Sequence, residues 1–262
     1  MIHFIIATVS EAKPLINFYS LKKKKTAIFT FYSNDQISLT ISGIGKINAA
    51  MSVTQTFYEF NHQKNNIWIN FGIAGHKNEK IGNIFLIDKI VDNETQKKKY
   101  PFILDNCRLK QKSCITHHKP NYSYTDDLSD MEASGFFFGC EKYSSKEFIH
   151  SIKIVSDNEK KRINFFDEEE VKNIVLKKIK NIDTFVKKIY SIWNDYFGKK
   201  KFIENKINNI LADYKLTFSE AEEFKRWLSM YFHHKSKKKK NILDNKKDIH
   251  TNIKNIKEYL GI

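Results

Sequence analysis

The chain has 262 residues, 41% of them hydrophobic and 14% aromatic, with 9 Gly and 3 Pro; that supports one substantial domain with an appendage, or two small ones, and excludes wholesale disorder. Its formal charge of +15 comes almost wholly from lysine, the arginines being Arg108, Arg162 and Arg226, so a solvated lysine-rich surface is the reading preferred over a nucleic-acid reader, which would use the bidentate fork of arginine. Cys107, Cys114 and Cys140 include no C-x-x-C pair, so neither a disulfide framework nor a zinc ribbon is indicated, and a reducing interior is expected.

Residues 2–9 are an apolar run suited to a strand buried on both faces; the run is short and lacks a basic leader, so it reads as a strand and not a signal peptide. No stretch reaches transmembrane length, and the cytoplasm is the expected location. A short helix over 11–20 follows, with Ser10 as its N-cap, then strands at 27–33 and 37–42. The glycine turn Ser42-Gly43-Ile44-Gly45-Lys46 launches a helix over 46–61, whose first N–H groups are free to face an anion or a water. The buried strand Ile67–Phe71 is expected to end in a second turn, Gly72-Ile73-Ala74-Gly75, and Ile84–Val91 follows a turn at Gly82. Residues 93–128 read as loops with one strand around 104–109. A helix over 131–143 carries Met131, Phe136, Phe137 and Cys140 on its apolar side. A strand from Ile149 to Val155 ends at Ser156-Asp157, and an amphipathic helix over 167–190 opens on Asp167 and three glutamates at the positive end of its dipole. Strands alternating with helices imply a mostly parallel, helix-covered sheet.

Beyond about 195 strand signals vanish. Helices are expected at 200–213, 217–233 and 246–260, the second with Ser219 as N-cap and Glu222 at its third position. The block Lys235–Lys240 separates the last two. The chain therefore divides into an α/β domain, 1–194, and a basic helical extension, 195–262, whose apolar residues pack on the domain or on a second subunit. A phosphate-backbone contact through the lysine block and His233-His234 is possible but not favoured.

In an open parallel sheet ligands gather at the carboxyl ends of the strands, and four such ends carry special residues: Glu11, Gly43-Ile44-Gly45, Gly72–Gly75 and Ser156-Asp157, with Asp130-Met131-Glu132-Ala133 as a fifth piece. The ordered blocks SGIGKINAAMSVTQTF, INFGIAG, GNIFLID, DMEASGFFFGC and IKIVSDN resemble those of bacterial 5′-methylthioadenosine/S-adenosylhomocysteine nucleosidases and the wider nucleoside phosphorylase family, over about residues 2–190. The resemblance implies a three-layer α/β/α fold around a mixed, partly barrel-like sheet. It also implies a small-molecule nucleoside as ligand, a homodimer, no metal and no cofactor.

The resemblance further implies the roles. Asp157 stands where the family places the acid that protonates the leaving base. Glu132 matches the glutamate that accepts hydrogen bonds from ribose hydroxyls, with Met131 packing on the ribose. Ile73, Ala74, Gly75 and Ser156 complete the substrate-binding set; Ile73 stands where the family often has Ser or Thr, which argues against a phosphate contact. The water-activating glutamate falls on Glu11 or, in the other alignment, one position later at Ala12. Phosphorylases of the family clamp phosphate with arginines, and none precedes Arg108 here; Lys46 or Lys77 would supply charge without bidentate geometry, so hydrolysis is preferred. The purine-stacking loop is replaced by Cys114–Tyr122, where His117 or Tyr122 are candidates to stack, and adjacent His117-His118 lack metal-ligand spacing. A nucleoside-binding member with reduced catalysis, and a phosphorylase with an atypical phosphate site, stay open as alternatives.

Overall fold

The computed structural model describes residues 1–24, 28–60, 65–104, 108–162, 167–233, 243 and 248–261, and the backbone alone of 201. Cys107, His234 and the block Lys235–Lys240 lie outside the described residues, as do residue 27 of the strand expected over 27–33 and 105–107 of the strand expected around 104–109. The chain divides into two compact units, Met1–Ser191 and Ile192–Ile262.

In the first unit the apolar run forms β1 (Ile2–Ile6), every residue of it buried. α1 (Val9–Phe18) follows, then β2 (Lys22–Lys24), β3 (Thr30–Ser33) and β4 (Ile37–Ile41). α2 (Lys46–Glu59) precedes β5 (Ile67–Gly75), β6 (Ile84–Asp92) and the short β7 (Lys98–Lys99). β8 (Lys110–Thr116) and β9 (Leu128–Asp130) lead into α3 (Ala133–Cys140), and β10 (Ile149–Asp157) precedes α4 (Glu168–Leu176). These strands form one mixed sheet, running β10-β6-β8-β9-β5-β1-β4-β3-β2, with β7 on β6. Because β10 also pairs in parallel with β5, the segment β5-β10-β6-β8-β9 closes on itself as a barrel and β1–β4 extend from it. β1 pairs in parallel with both β4 and β5. This is the mixed, partly barrel-like sheet expected from the sequence.

α2 and α3 pack on the barrel and fill its outer core with Ala49, Val53, Phe57, Phe136, Phe137 and Cys140, against Trp68, Ile87 and Val155. α3 lies so close to the start of α2 that a methyl on Gly135 would overlap the Lys46 carbonyl. Glycine is required there by contact, not by an unusual backbone angle.

Several local expectations need correction. Thr8, not Ser10, caps α1; its side chain accepts the Glu11 N–H while the Glu11 carboxylate bonds back to the cap, and the T-x-x-E spacing that announces this box stands in the sequence. Gly72–Gly75 is no turn: β5 continues through it because β10 pairs alongside, Lys153 opposite Gly72 and Val155 opposite Ala74. Around the strand expected at 104–109, of which 105–107 lie outside the described residues, residues 104, 108 and 109 are not strand and β8 begins at Lys110. Met131 precedes α3 instead of lying on its apolar side. The helix expected over 167–190 is two, α4 and α5 (Ile179–Ala212), with Lys177 as the C-cap of the first.

The boundary between the units falls within α5. The second unit comprises the end of that helix, α6 (Phe218–His233) and α7 (Ile249–Leu260), packed around Ile207, Phe224, Trp227, Leu228, Phe232, Ile253 and Ile256. Thr217 begins α6, exchanging bonds with Glu220, so the box lies two residues earlier than the expected Ser219 and Glu222. No helix among the described residues is long and apolar enough to cross a membrane.

Candidate active site

The carboxyl ends of β1, β4, β5, β9 and β10 surround one cavity of about 400 Å3. Its walls include Glu11, Ile73, Ala74, Gly75, Met131, Glu132, Ser156 and Asp157, the residues given catalytic or substrate-binding roles by the resemblance, together with Thr8, Ile44, Asp130 and the rim residues Pro120, Asn121 and Tyr122. Ala12 is buried and does not line it.

Glu11 is 4% exposed. Its Oε2 accepts the Thr8 backbone N–H at 2.9 Å and the Thr8 hydroxyl at 2.7 Å, while Oε1 accepts the Ile73 N–H at 2.9 Å. The capping box thus turns the carboxylate from the end of β1 toward β5. A methyl on Gly72 would sit 2.9 Å from Glu11 Oε1, so the glycine leaves the room in which this oxygen lies.

Glu132 occupies the N-cap position of α3 without capping it. Instead its Oε1 accepts the backbone N–H of Gly45 at 2.9 Å, where Gly45 has φ +103°. The N–H that the glycine turn was expected to offer to an anion is therefore committed to the protein's own carboxylate. Behind Glu132 stands a group the sequence reading missed. Lys153, buried on β10, has its ammonium 2.7 Å from Asp130 Oδ2 and 3.9 Å from Glu132 Oε2. Asp130 also accepts from the Thr116 hydroxyl at 2.7 Å and the Ala133 N–H at 2.8 Å. Burial works against every charge here. For Lys153 the Asp130 and Glu132 carboxylates outweigh it and raise the pKa, keeping the ammonium charged; for Asp130 the lysine and the hydrogen bonds outweigh it and lower the pKa. Glu132 is the group that yields: burial, with repulsion from Asp130 and Glu11, pushes it up to about 7 against the pull of Lys153 and Gly45. The available sequence signal was a lysine between two isoleucines in the middle of a strand, Ile152-Lys153-Ile154.

Asp157 ends β10 with both carboxylate oxygens engaged. The Ser156 hydroxyl donates to Oδ1 and the Tyr124 phenol to Oδ2. Tyr124 is a second residue missed from the sequence, since it falls in a stretch without regular structure.

At the rim, Tyr122 lies under the Arg162 guanidinium, 4.9 Å from the ring centroid, an arrangement of cation–π type. His117 is not in the wall; its Nε2 is 3.2 Å from Asn121 Nδ2, while the His118 backbone N–H goes to Glu94. Lys46 is neutralised by Asp92 at 2.7 Å and Glu94 at 2.6 Å. Among the described residues no Lys or Arg side chain lines the cavity, and no three or more of His, Cys, Asp and Glu cluster so as to hold a metal ion.

A part-closed mixed sheet, flanked by helices, with a cavity over the carboxyl ends of its strands, defines the nucleoside phosphorylase and nucleosidase fold. Solved structures with this fold to which the chain is similar include Arabidopsis thaliana 5′-methylthioadenosine nucleosidase (TM-score 0.60, 17% identity, 74% of this chain and 95% of that one). The Campylobacter jejuni 5′-methylthioadenosine/S-adenosylhomocysteine nucleosidase (0.59, 17%, 71% and 98%) and a futalosine hydrolase mutant of Helicobacter pylori (0.55, 14%, 71% and 98%) are also similar. No protein-family model matches the sequence, and no match is found among curated proteins. The sequence resemblance therefore holds at the level of fold.

Proposed function

We propose that the chain is a nucleosidase that hydrolyses the N-glycosidic bond of a purine nucleoside of the methylthioadenosine or adenosylhomocysteine type. The observation that carries this reading is the convergence of Glu11, Glu132 and Asp157 on one cavity. In the proposed reaction Glu132 accepts the ribose hydroxyls, Met131 packs on the sugar, and Asp157 gives a proton to the base as the bond to C1′ breaks. Glu11 takes a proton from the attacking water, and the developing positive charge on the sugar is stabilised by the carboxylates around it. Tyr122, backed by Arg162, offers the ring against which a base stacks.

Hydrolysis is preferred to phosphorolysis on electrostatic grounds. A phosphate entering this cavity would meet the carboxyl groups of Glu11, Asp130, Glu132 and Asp157 and no uncommitted cation, Lys46 and Lys153 both being paired. A second reading, a nucleoside-binding member without turnover, is favoured by the complete engagement of Asp157 by hydroxyls.

Incubation of the protein with methylthioadenosine, adenosylhomocysteine, adenosine and inosine, with and without phosphate, separates the readings by free base released. Phosphate-independent release, lost in Asp157→Asn, supports hydrolysis; binding by calorimetry without release supports the second reading. We further take 1–194 as the catalytic domain, located in the cytoplasm. The homodimer is supported by an exposed apolar run beside the cavity, Ile44, Ile47 and Met51, and light scattering of the purified protein tests it.

A further inference from the structure

Tyr124 touches the acid from the protein side. It is 9% exposed, it is not part of the cavity wall, and its phenol donates to Asp157 Oδ2. The approach is built in on three sides. A methyl on Gly75 would lie 2.5 Å from Tyr124 Cε1 and 3.0 Å from Asp157 Oδ2, so only glycine leaves room for the pair. The backbone after Tyr124 is tied to the end of β5: the Lys77 N–H donates to the Thr125 carbonyl at 3.1 Å, and His76 Nε2 is 2.9 Å from the Asp126 carbonyl. His76 Nδ1 accepts the Asn78 and Glu79 N–H groups at 3.0 Å, which leaves the proton on Nε2 for Asp126. The His76 backbone N–H holds the Asp157 carbonyl at 3.0 Å.

The other oxygen is held differently. The Ser156 hydroxyl that donates to Oδ1 also lies 3.3 Å from the Ala74 carbonyl. A hydroxyl with two acceptors can turn from one to the other, whereas the phenol, locked by its ring and loop, has one.

We infer, on the footing of the nucleosidase reading above, that Tyr124 is a positioning residue which fixes Oδ2 of Asp157 and so assigns Oδ1 as the oxygen that carries the transferred proton. When Asp157 takes up a proton from solvent on Oδ1, Ser156 turns its own hydroxyl proton to Ala74, and the Oδ1 proton is left to face an approaching base. The proton passes from Oδ1 to the ring nitrogen, the electron pair of the C1′–N bond leaves with the base, and the carboxylate left behind accepts the Tyr124 phenol. The Tyr124 O–H bond is never broken. Burial, and then Asp157, raise the phenol's pKa, so it keeps the proton it must donate. The other titratable groups acting on the phenol are Arg162, which lowers its pKa, and Tyr122, which raises it; Glu11 and Glu132 share the cavity with Asp157, and Lys153 lies behind Glu132.

Tyr124→Phe keeps the ring and removes the donor. A hydrogen bond to a charged group corresponds to roughly a tenfold effect or more. The expected result is a kcat lowered about tenfold, KM within about twofold, and the alkaline limb of the kcat profile displaced upward by about one pH unit, because the carboxyl has lost a donor that favours its charged form. A purely structural role would leave that limb in place. In parallel, 13C NMR of aspartate-labelled protein, with Asp157→Asn assigning the signal, should place the titration of the Asp157 carboxyl at higher pH in Tyr124→Phe. Unchanged kcat and an unmoved titration overturn the inference while leaving the nucleosidase reading intact. If the wild-type protein cleaves no nucleoside, that reading falls, and the NMR titration alone decides: a displaced midpoint supports the pairing, an unmoved one overturns it. Should Tyr124→Phe not fold, Asp157→Asn in fluorotyrosine-labelled protein reports from the other side. There the Tyr124 resonance should titrate at lower pH than in wild type, and the same midpoint overturns the inference.

Discussion

Gly45 donates its backbone N–H to Glu132 Oε1 at 2.9 Å, joining two strand-end motifs that lie 87 positions apart in sequence. The bond needs Gly45 at φ +103° and ψ 150°, a region essentially closed to residues with a Cβ. Gly45→Ala should therefore act twice. It strains the start of α2 by about 1–3 kcal/mol, and it displaces the carboxylate that receives the ribose. The expected outcome is a lower melting temperature with KM for a cleaved nucleoside raised more than kcat is lowered. A variant with wild-type KM would mean that Glu132 is oriented by something else.

The burial of Glu132 has a measurable pH signature. Its ordinary value is 4.5 and its value in the fold is about 7, so between these pH values the folded protein holds a proton that the unfolded chain has released. Stability contributed by the neutral carboxyl is thus complete below about 4.5 and lost as the pH rises to about 7; the shift corresponds to roughly 3 kcal/mol. Urea unfolding of wild type and Glu132→Gln at pH 5 and pH 8 tests this. The wild type should lose stability over that interval relative to the variant, and equal losses would refute the assignment. Nucleoside affinity should run the opposite way, rising through pH 7 as Glu132 gains the charge that accepts two hydroxyls.

Much of this architecture was legible in the sequence, because β1 and β5 are largely apolar runs, β10 carries the apolar Ile152, Ile154 and Val155, and Glu132 and Asp157 sit in distinctive local contexts. What was not legible depends on contacts between distant segments. Gly72–Gly75 reads as a turn by composition, and only pairing with β10 makes it strand. Lys153 reads as a stray charge until Asp130 is brought within 2.7 Å of it. Tyr124 lies in a polar segment with no periodicity, and its partner is 33 positions away. The Thr8-x-x-Glu11 box, by contrast, is written in the sequence, beside a Ser10 whose side chain has the same capping chemistry.

Lys153 should be among the most sensitive positions in the first unit. Its side chain is 1% exposed and its two carboxylate neighbours are 0% and 10% exposed. Lys153→Met leaves Asp130 without its counter-charge, a change that costs about 3–5 kcal/mol in buried pairs. The double variant Lys153→Met, Asp130→Asn removes both charges and should recover most of that loss. Chemical denaturation of the two variants decides it; a double variant no more stable than the single one would show that the lysine acts by packing and not by charge.

Glu11 has two functions that one substitution can separate. As the third residue of α1 it completes the capping box through Oε2, and as a wall residue it presents Oε1, bound by the Ile73 N–H. Thr8→Ala removes the hydroxyl half of the box and should cost about 1 kcal/mol of stability while leaving turnover within a few-fold of wild type. Glu11→Gln keeps one oxygen acceptor and nearly the same shape, and its amide nitrogen cannot accept the second backbone N–H, so the fold should lose about 1–3 kcal/mol; the amide also cannot take a proton from water. Base release by Glu11→Gln should fall by about a hundredfold or more, in the range by which general-base groups contribute, with nucleoside binding preserved in calorimetry. If Glu11→Gln turned over like wild type, the carboxylate would be a cap alone and the attacking water would have to be activated elsewhere. Ala12, the other alignment of the base, is buried, has no ionisable group and does not line the cavity, so it could not supply the missing step.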